Sequence, residues 1–421
     1  MEITLSMITI AFVYLLSLFF ITFWLIIYFT RGIKEKQGKL NGYPTVTVAI
    51  PALNEENSIK ETLKSVQNLD YPKDKLEIIV INDGSTDNTK SIVEFMMKYD
   101  SRIRLINHTI NKGKGESMND ALAIAKGKFF TCLDADSFIK SDALKIMLPH
   151  FDNPQVGAVL PLMKVKNPTT ILEKIQWCEY LLNMFYKKIM STINCVHVAP
   201  GPFSIYRKKV VQNLGGFAEK NITEDFEISL RLQKNNYRIV QLFNTEVFTL
   251  VPKTLRGVYK QRNRWYKGTM LNLFDYKRMI FNKKYGDFGV IQLPRVLISG
   301  FLAVTMLSLL LYKKIFLPIV MWIRDLSYVN FNVFFFIKNW ATNLFSNFSI
   351  LNFNFMNLFL GLVIMVMSGT ALYLAYSFTK EKFLRYGILT IPLYLLIYGL
   401  LAAGIWVGVF IELLFRRVQK W

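Results

Sequence analysis

Apolar and polar positions divide the chain into three stretches. Residues 8–29 carry no charge over 22 positions, about 33 Å of helix at 1.5 Å per residue, enough to cross a bilayer core. Glu2 precedes this run and Arg31, Lys34, Lys36 and Lys39 follow it, the reverse of the charge order in a cleaved leader. Residues 1–30 therefore read as a membrane anchor, with the basic linker 31–43 on its cytoplasmic side. Residues 44–285 hold charges throughout and frequent turn signals, as a folded domain in water does. From 286 to 421 the apolar runs return: 296–312, 356–378 and 386–411 are uncharged and long enough to span or nearly so. Residues 315–337 are apolar but interrupted by Arg324 and Asp325, which reads as an interfacial or imperfectly spanning segment. Three or four C-terminal spans are expected. The basic residues at 380, 382 and 385 and those at 416, 417 and 420 favour different counts, so charge bias leaves the number and the side of the C-terminus open.

Within the middle stretch, residues 45–51, 77–82, 102–107 and 128–133 are short β-branched or aromatic runs, each ending in turn residues. Helical spacing lies between them, in Ile59, Leu63 and Val66, then Ile92, Phe95 and Met96, then Met118, Leu122 and Ala125. Strand–helix alternation predicts an α/β, Rossmann-like domain with a largely parallel sheet and right-handed crossovers. Ligands of such sheets sit outside the carboxyl ends of the strands. The polar residues gather at that edge: Pro51-Ala52-Leu53-Asn54-Glu55-Glu56, Asn82-Asp83-Gly84-Ser85, Asn111-Lys112-Gly113-Lys114-Gly115 and Asp134-Ala135-Asp136.

Composition narrows the partners. The 421 residues include 51 Lys+Arg against 30 Asp+Glu, a net charge of +21, with 52% hydrophobic and 19% charged residues. Such a basic excess suits either nucleic acid or a membrane surface. It is concentrated after the first apolar run and around Lys187 and residues 260–283, and neither a recognition helix nor a base-stacking platform is evident. The expected partner is the bilayer, not nucleic acid. Three cysteines cannot staple a chain of this size and read as reduced thiols in apolar surroundings. The three histidines are scattered, suggest no zinc site and receive no role.

The strand-end residues have a shared chemistry. Carboxylates spaced i, i+2 where a strand ends, Asp134 and Asp136, can share Mg²⁺ or Mn²⁺ with a diphosphate. Asp83 and Glu55 suit a base N–H and ribose hydroxyls, and Lys114 adds positive charge near phosphates. Neither G-x-x-x-x-G-K-[S/T] nor G-x-G-x-x-G occurs, so a P-loop or a dinucleotide fold is not indicated. Residues 171, 175, 178, 182, 185 and 189 repeat at helical spacing opposite Glu173, Lys174, Glu179, Lys187 and Lys188, which predicts an amphipathic helix near 170–192. A second amphipathic segment covers 254–284.

Three further motifs complete the pattern: Pro200-Gly201-Pro202-Phe203-Ser204-Ile205-Tyr206-Arg207, Thr223-Glu224-Asp225 and Gln261-Arg262-Asn263-Arg264-Trp265. With D-x-D in this order, the chain resembles the family-2, GT-A-fold nucleotide-sugar glycosyltransferases, and among them the membrane-embedded processive synthases of poly-N-acetylglucosamine, hyaluronan, cellulose and chitin. The T-E-D segment is closest to the poly-N-acetylglucosamine synthases. The resemblance covers residues 1–290 in motif order. It implies inverting transfer from a UDP-sugar, such as UDP-N-acetylglucosamine, to a growing β-linked polymer exported through the membrane, with room for an accessory subunit. The alternative is a single addition to a lipid or lipid-phosphate acceptor, whose enzymes normally lack Q-x-x-R-W. By the same resemblance Asp225 is the base, with Glu224 and Thr223 beside it. Pro51, Ala52, Asn54, Glu55, Asp83, Lys112, Lys114, Asp134, Gln261 and Arg264 hold the nucleotide sugar, and Trp265, Gly201 and Pro202 hold the acceptor. Asp136 and Asp134 carry the metal. The sequence departs from the bacterial synthases at Tyr266-Lys267-Gly268-Thr269, where they usually have small residues and glycines, and so leaves the polymer open.

Overall fold

The computed structural model describes residues 5–32, 38, 40, 42–335, 337–338, 355–382, 385–386 and 389–415. Glu2, Lys34, Lys36, Lys39, Arg416, Arg417 and Lys420, used above for charge bias, lie outside the described residues.

Helix α1 (Leu5–Arg31) leads to a mixed eight-stranded sheet. Its strands are β1 (Val46–Ala52), β2 (Leu76–Asp83), β3 (Ile103–His108), β4 (Phe129–Cys132), β5 (Ser137–Ile139), β6 (Val156–Val165), β7 (Ser204–Arg207) and β8 (Arg238–Thr249). The spatial order is β3-β2-β1-β4-β7-β6-β8-β5. The first four strands pair in parallel, Val46 opposite both Leu76 and Phe129, and are joined by α2 (Ile59–Gln67), α3 (Thr89–Met97) and α4 (Lys114–Ile124). Val46 to Ile50 are buried, as a central parallel strand covered on both faces must be. Ile59, Leu63 and Val66, one face of α2, are fully buried against it. The expected α/β fold is present. Beyond β4 the sheet reverses direction, with β7 antiparallel to β4 and β6 and with β5 antiparallel to β8.

Two long helices fasten this domain to the apolar ones. Helix α5 (Ile171–Thr192) starts at a capping box in which Thr170 Oγ1 accepts from the Glu173 N–H and Glu173 accepts from the Thr170 N–H. The expected polar face is mostly covered, with only Lys174 and Lys187 of it half-exposed. Lys188 Nζ donates to the Gln241 carbonyl at 2.8 Å, and Glu173, Glu179 and Lys188 are all buried. The apolar side packs Phe185 and Ile189 against Ile27 of α1 and Ala375. Most of both faces is covered because the helix packs against the sheet on one side and against α1 and the Ala375 helix on the other. Glu224–Lys234 forms α6 and Leu255–Asp275 forms α7.

A single helical run extends from Phe288 to Tyr328, 41 residues. It comprises α8 (Leu293–Leu311) and α9 (Leu317–Tyr328), joined by a π-helical turn at Tyr312–Phe316. Residues 315–328 thus continue the same helical run and do not form a separate helix. No glycine interrupts 301–328, and Pro318 falls in the first turn after the π-turn, where its missing N–H costs little. Helices α10 (Phe355–Phe378) and α11 (Gly399–Leu414) are the other long apolar helices among the described residues. Ile8–Arg31, Phe288–Tyr328 and Leu358–Phe378 are each long and apolar enough to cross a membrane, and Gly399–Leu414 is a shorter apolar helix.

Candidate active site

The carboxyl ends of the parallel strands form the floor of a cavity of about 590 Å³. Asn54 and Glu56, after β1, brace the turn after β2: Asn54 Oδ1 accepts from the Thr86 N–H at 2.9 Å, and Glu56 accepts from the Asn88 N–H at 3.0 Å. Pro51, Ala52 and Glu55 line the cavity, whereas Asn54 does not. Glu55 is half-buried and accepts from Ser58 Oγ at 2.5 Å; burial, then nearby carboxylates, raises its carboxyl above the ordinary range. Asp83 also lines the cavity, but its oxygens already accept from the Lys112 and Gly113 N–H groups at 2.9 Å. His108 Nδ1 is 2.8 Å from the same carboxylate, and its Nε2 is 2.9 Å from Asp120. Asp83 thus shapes the 111–114 loop, and His108, given no role from sequence, orients Asp83. Lys112 points away, pairing with Glu116 at 3.1 Å.

Lys114, at the start of α4, reaches across the cavity. Its Nζ lies 2.6 Å from Asp134 Oδ1 and 3.1 Å from Glu224 Oε1. Burial opposes this charge, yet Asp134 and Glu224 hold the ammonium well above its ordinary pKa. The expected phosphate cation is therefore also the tie between D-x-D and T-E-D. Gly201 makes the tie fit, since a Cβ there would sit 2.5 Å from Lys114 Nζ and 2.9 Å from Asp134 Oδ1. Pro200, Gly201 and Pro202 all line the cavity.

Asp136 also faces the cavity. Burial, then repulsion from Asp134 and Glu55, pushes its carboxyl up to about 7. Crowded carboxylates of this kind gain most from a divalent cation. Among the described residues no group of three or more His, Cys, Asp or Glu could hold a metal alone. One or two carboxylates with the remaining oxygens from a diphosphate is, however, a normal Mg²⁺ arrangement. Asp136 and Asp134 fit that role, Asp136 with fewer prior ties.

Thr223 occupies the N-cap position of α6 without a side-chain capping bond, and Glu224 and Asp225 occupy the first turn. Asp225 Oδ1 accepts from the Phe226 N–H at 2.8 Å. Burial, then Glu224, pushes its carboxyl up to about 6, against the pull of Lys114 and Arg264. The Thr223 side chain is gripped by Asn272 Nδ2 at 3.0 Å. Gly268, one turn earlier on α7, allows this contact because a Cβ there would collide with Thr223. This small residue lies inside the segment that departs from the bacterial pattern.

Gln261, Arg264 and Trp265 line the cavity from α7. Between them Arg262, 1% exposed, turns the other way. It pairs with Glu179 of α5 at 2.5 Å, donates to Tyr398 Oη at 3.0 Å and lies 4.1 Å over the Trp265 ring. The basic character of this segment suits Arg262 and Lys267 to lipid headgroups, but both are buried in ion pairs, Lys267 with Glu412 at 3.0 Å; the cavity's far end carries no expectation from sequence. There the lining continues past Asp225 to Tyr186, Lys187, His197, Trp24 and Arg295, the last two on apolar helices. The alternation of cavity-facing and buried residues along the Q-x-x-R-W turn signals the burial of Arg262. Nothing local in the sequence signals the far end, which is assembled from α1, α5 and α8.

Residues 47–215 match the family model for glycosyl transferase family 2. The chain is 31% identical over 310 residues to a poly-β-1,6-N-acetyl-D-glucosamine synthase of Staphylococcus epidermidis, covering 72% of each chain. It is 33% identical over 260 residues to the synthase of that name from Staphylococcus aureus strain MSSA476, covering 60% of this chain and 62% of that one. In fold it is similar to a mannosyltransferase of Pyrobaculum calidifontis solved with GDP-Man and Mn²⁺, with a TM-score of 0.60 at 19% identity over 96% of this chain and 95% of that one.

Proposed function

Because the chain belongs to glycosyl transferase family 2, we propose that it transfers N-acetylglucosamine from UDP-N-acetylglucosamine, with inversion, to the end of a β-linked polymer passed out through its apolar helices. The observation that carries this reading is the continuity of the cavity, which runs from Asp83 and the D-x-D turn past Asp225 to Trp24 and Arg295 on apolar helices. A donor site and a membrane-side exit in one space suit an acceptor that grows toward the bilayer.

In this reading the uridine lies over Pro51, Ala52 and Asp83, and the diphosphate lies between Lys114 and Arg264. Asp225 takes the proton of the acceptor hydroxyl. That oxygen bonds to the anomeric carbon from the face opposite UDP, whose oxygen–carbon bond breaks and which leaves with the electron pair. A positioned base contributes about 10²–10⁴ in rate, and first-turn placement favours its charged form. Asp136, with Asp134, would hold Mg²⁺ or Mn²⁺, which when bound stabilises the charge on the leaving diphosphate; the fold neighbour solved with Mn²⁺ supports a divalent ion. Trp265 offers a flat face to the acceptor sugar.

The test is turnover of radiolabelled UDP-sugars by the full chain in nanodiscs, with and without divalent ions, followed by product sizing. High-mass product from UDP-N-acetylglucosamine that disappears with a chelator is expected. A short lipid-linked product, or turnover indifferent to chelator, would overturn the polymer or the metal part respectively.

A further inference from the structure

The membrane-side end of the cavity is cationic in a way that a neutral polymer does not explain. Lys187 of α5 and Arg295 of α8 both line it, and neither is in an ion pair with a carboxylate among the described residues. Arg295 Nε donates to Gln292 Oε1 at 3.3 Å, and its guanidinium lies 5.6 Å from the Trp24 ring centre. With its oxygen so used, the Gln292 amide turns its NH₂ to His197 Nδ1, 2.7 Å away. Nδ1 must accept, so a neutral His197 carries its proton on Nε2. The charges of Arg295 and Lys187 both bear on His197, which burial first and these charges next hold well below its ordinary pKa. Burial likewise lowers Lys187, to about 8, with Asp225 the only opposing influence. The Trp24 indole N–H is buried with no acceptor. This end of the cavity therefore presents two cations and further donors, with Asp225 the carboxylate that acts on Lys187 and no carboxylate paired to either cation among the described residues.

Ionisable groups held against apolar helices with no counter-charge paired to them are costly, and a ligand supplying that charge removes the cost. Glucosamine polymers supply none. A tetrahedral phosphate supplies charge and several acceptor oxygens, and matches the Arg and Lys chemistry. Resting on the reading above, we propose that this end of the cavity is a binding subsite for a phosphate group on the initiating acceptor, held by Lys187 and Arg295 with His197 as a neutral donor. Asp225 lies in the same space, so the acceptor hydroxyl reaches the base while the phosphate stays toward the bilayer. Such a phosphate can come from a lipid headgroup or from a soluble phosphorylated glycan, and the chemistry of the subsite is the same for both.

The full chain is reconstituted in phosphatidylcholine nanodiscs with or without phosphatidylglycerol, and separately with a soluble phosphodiester-bearing saccharide or its neutral counterpart. Retained lipid is read by native mass spectrometry, UDP affinity by calorimetry, and transfer with radiolabelled UDP-N-acetylglucosamine. A phosphate subsite gives retention of phosphatidylglycerol, or stimulation by the soluble phosphodiester, that falls at least tenfold in Lys187→Gln and Arg295→Gln. Arg295→Lys and Lys187→Arg preserve it, and UDP affinity does not change. The responding arm identifies the source. Equal retention and equal stimulation in the Gln variants and the unaltered chain overturns the subsite. Absence of transfer by the unaltered chain with every acceptor overturns the functional reading instead, and the retention measurement still decides the subsite.

Discussion

Lys114 Nζ sits 2.6 Å from Asp134 Oδ1 inside the cavity, so one lysine at a helix start holds the first D-x-D carboxylate while it also neutralises Glu224. Its charge lowers the pKa of Asp225, which burial and Glu224 raise. Lys114→Met removes a preorganised cation, a change that typically costs about 10²–10³ in kcat. It also lets Asp225 hold its proton more tightly. The rate against pH is expected to drop by that order and its acid limb to move upward. An unmoved limb with a near-normal rate would take Lys114 out of the site.

Gly201 is required by proximity. A methyl group there would press on Lys114 and Asp134, displacing the pair while leaving the core untouched. Gly201→Ala is expected to lower kcat about tenfold or more, in line with the sensitivity of positioned groups to small displacements, with little change in melting temperature. Comparable kcat, or unfolding in place of a kcat effect, would contradict this account of the close approach.

The four parallel strands and the helices between them could be read from the chain because each carries its own periodicity. Ile59, Leu63 and Val66 share a buried face as their spacing requires. The turn residues that end those strands come together for the same topological reason. Asp83 was legible as a site residue, but its partners were not: His108 lies 25 positions away and meets it only through the β2–β3 register. The T-x-x-E at Thr170–Glu173 is a capping signal for a helix that its amphipathic spacing already predicts. What periodicity misjudged was the polar side of that helix. A buried ion pair such as Glu179–Arg262 looks, residue by residue, the same as a solvated face. The cationic end of the cavity was hidden more deeply, because Trp24, Lys187 and Arg295 are close only after α1, α5 and α8 pack.

Arg262 illustrates the energetic side. It is 1% exposed and paired with Glu179 at 2.5 Å. Arg262→Met leaves Glu179 buried and unpaired, which costs about 3–5 kcal/mol. A clear fall in thermal midpoint is expected for the single variant, and partial recovery when Glu179→Gln is added. Additive losses in the pair would show that the two residues are not coupled.

Trp265 has the Arg262 guanidinium 4.1 Å from its ring centre, and it also lines the cavity. Trp265→Ala is expected to shorten the product several-fold while UDP affinity stays the same, as measured by gel sizing and calorimetry. Lost UDP affinity with product length unchanged would move Trp265 from the acceptor to the donor side.

The central claim is that Asp225 removes the acceptor proton and does not hold the donor. Only the carboxylate can accept that proton, and its pKa is raised to about 6. At saturating divalent ion, which keeps Asp136 ionised, transfer should therefore be flat above that value and fall tenfold per unit below it. The direct measurement pairs UDP affinity with the transfer rate across pH for the unaltered chain and Asp225→Asn. The account predicts unchanged UDP affinity and at least a hundredfold loss of transfer in the variant, together with an acid limb near pH 6 in the unaltered chain. Transfer retained by Asp225→Asn, or loss explained by failed UDP binding, would contradict it.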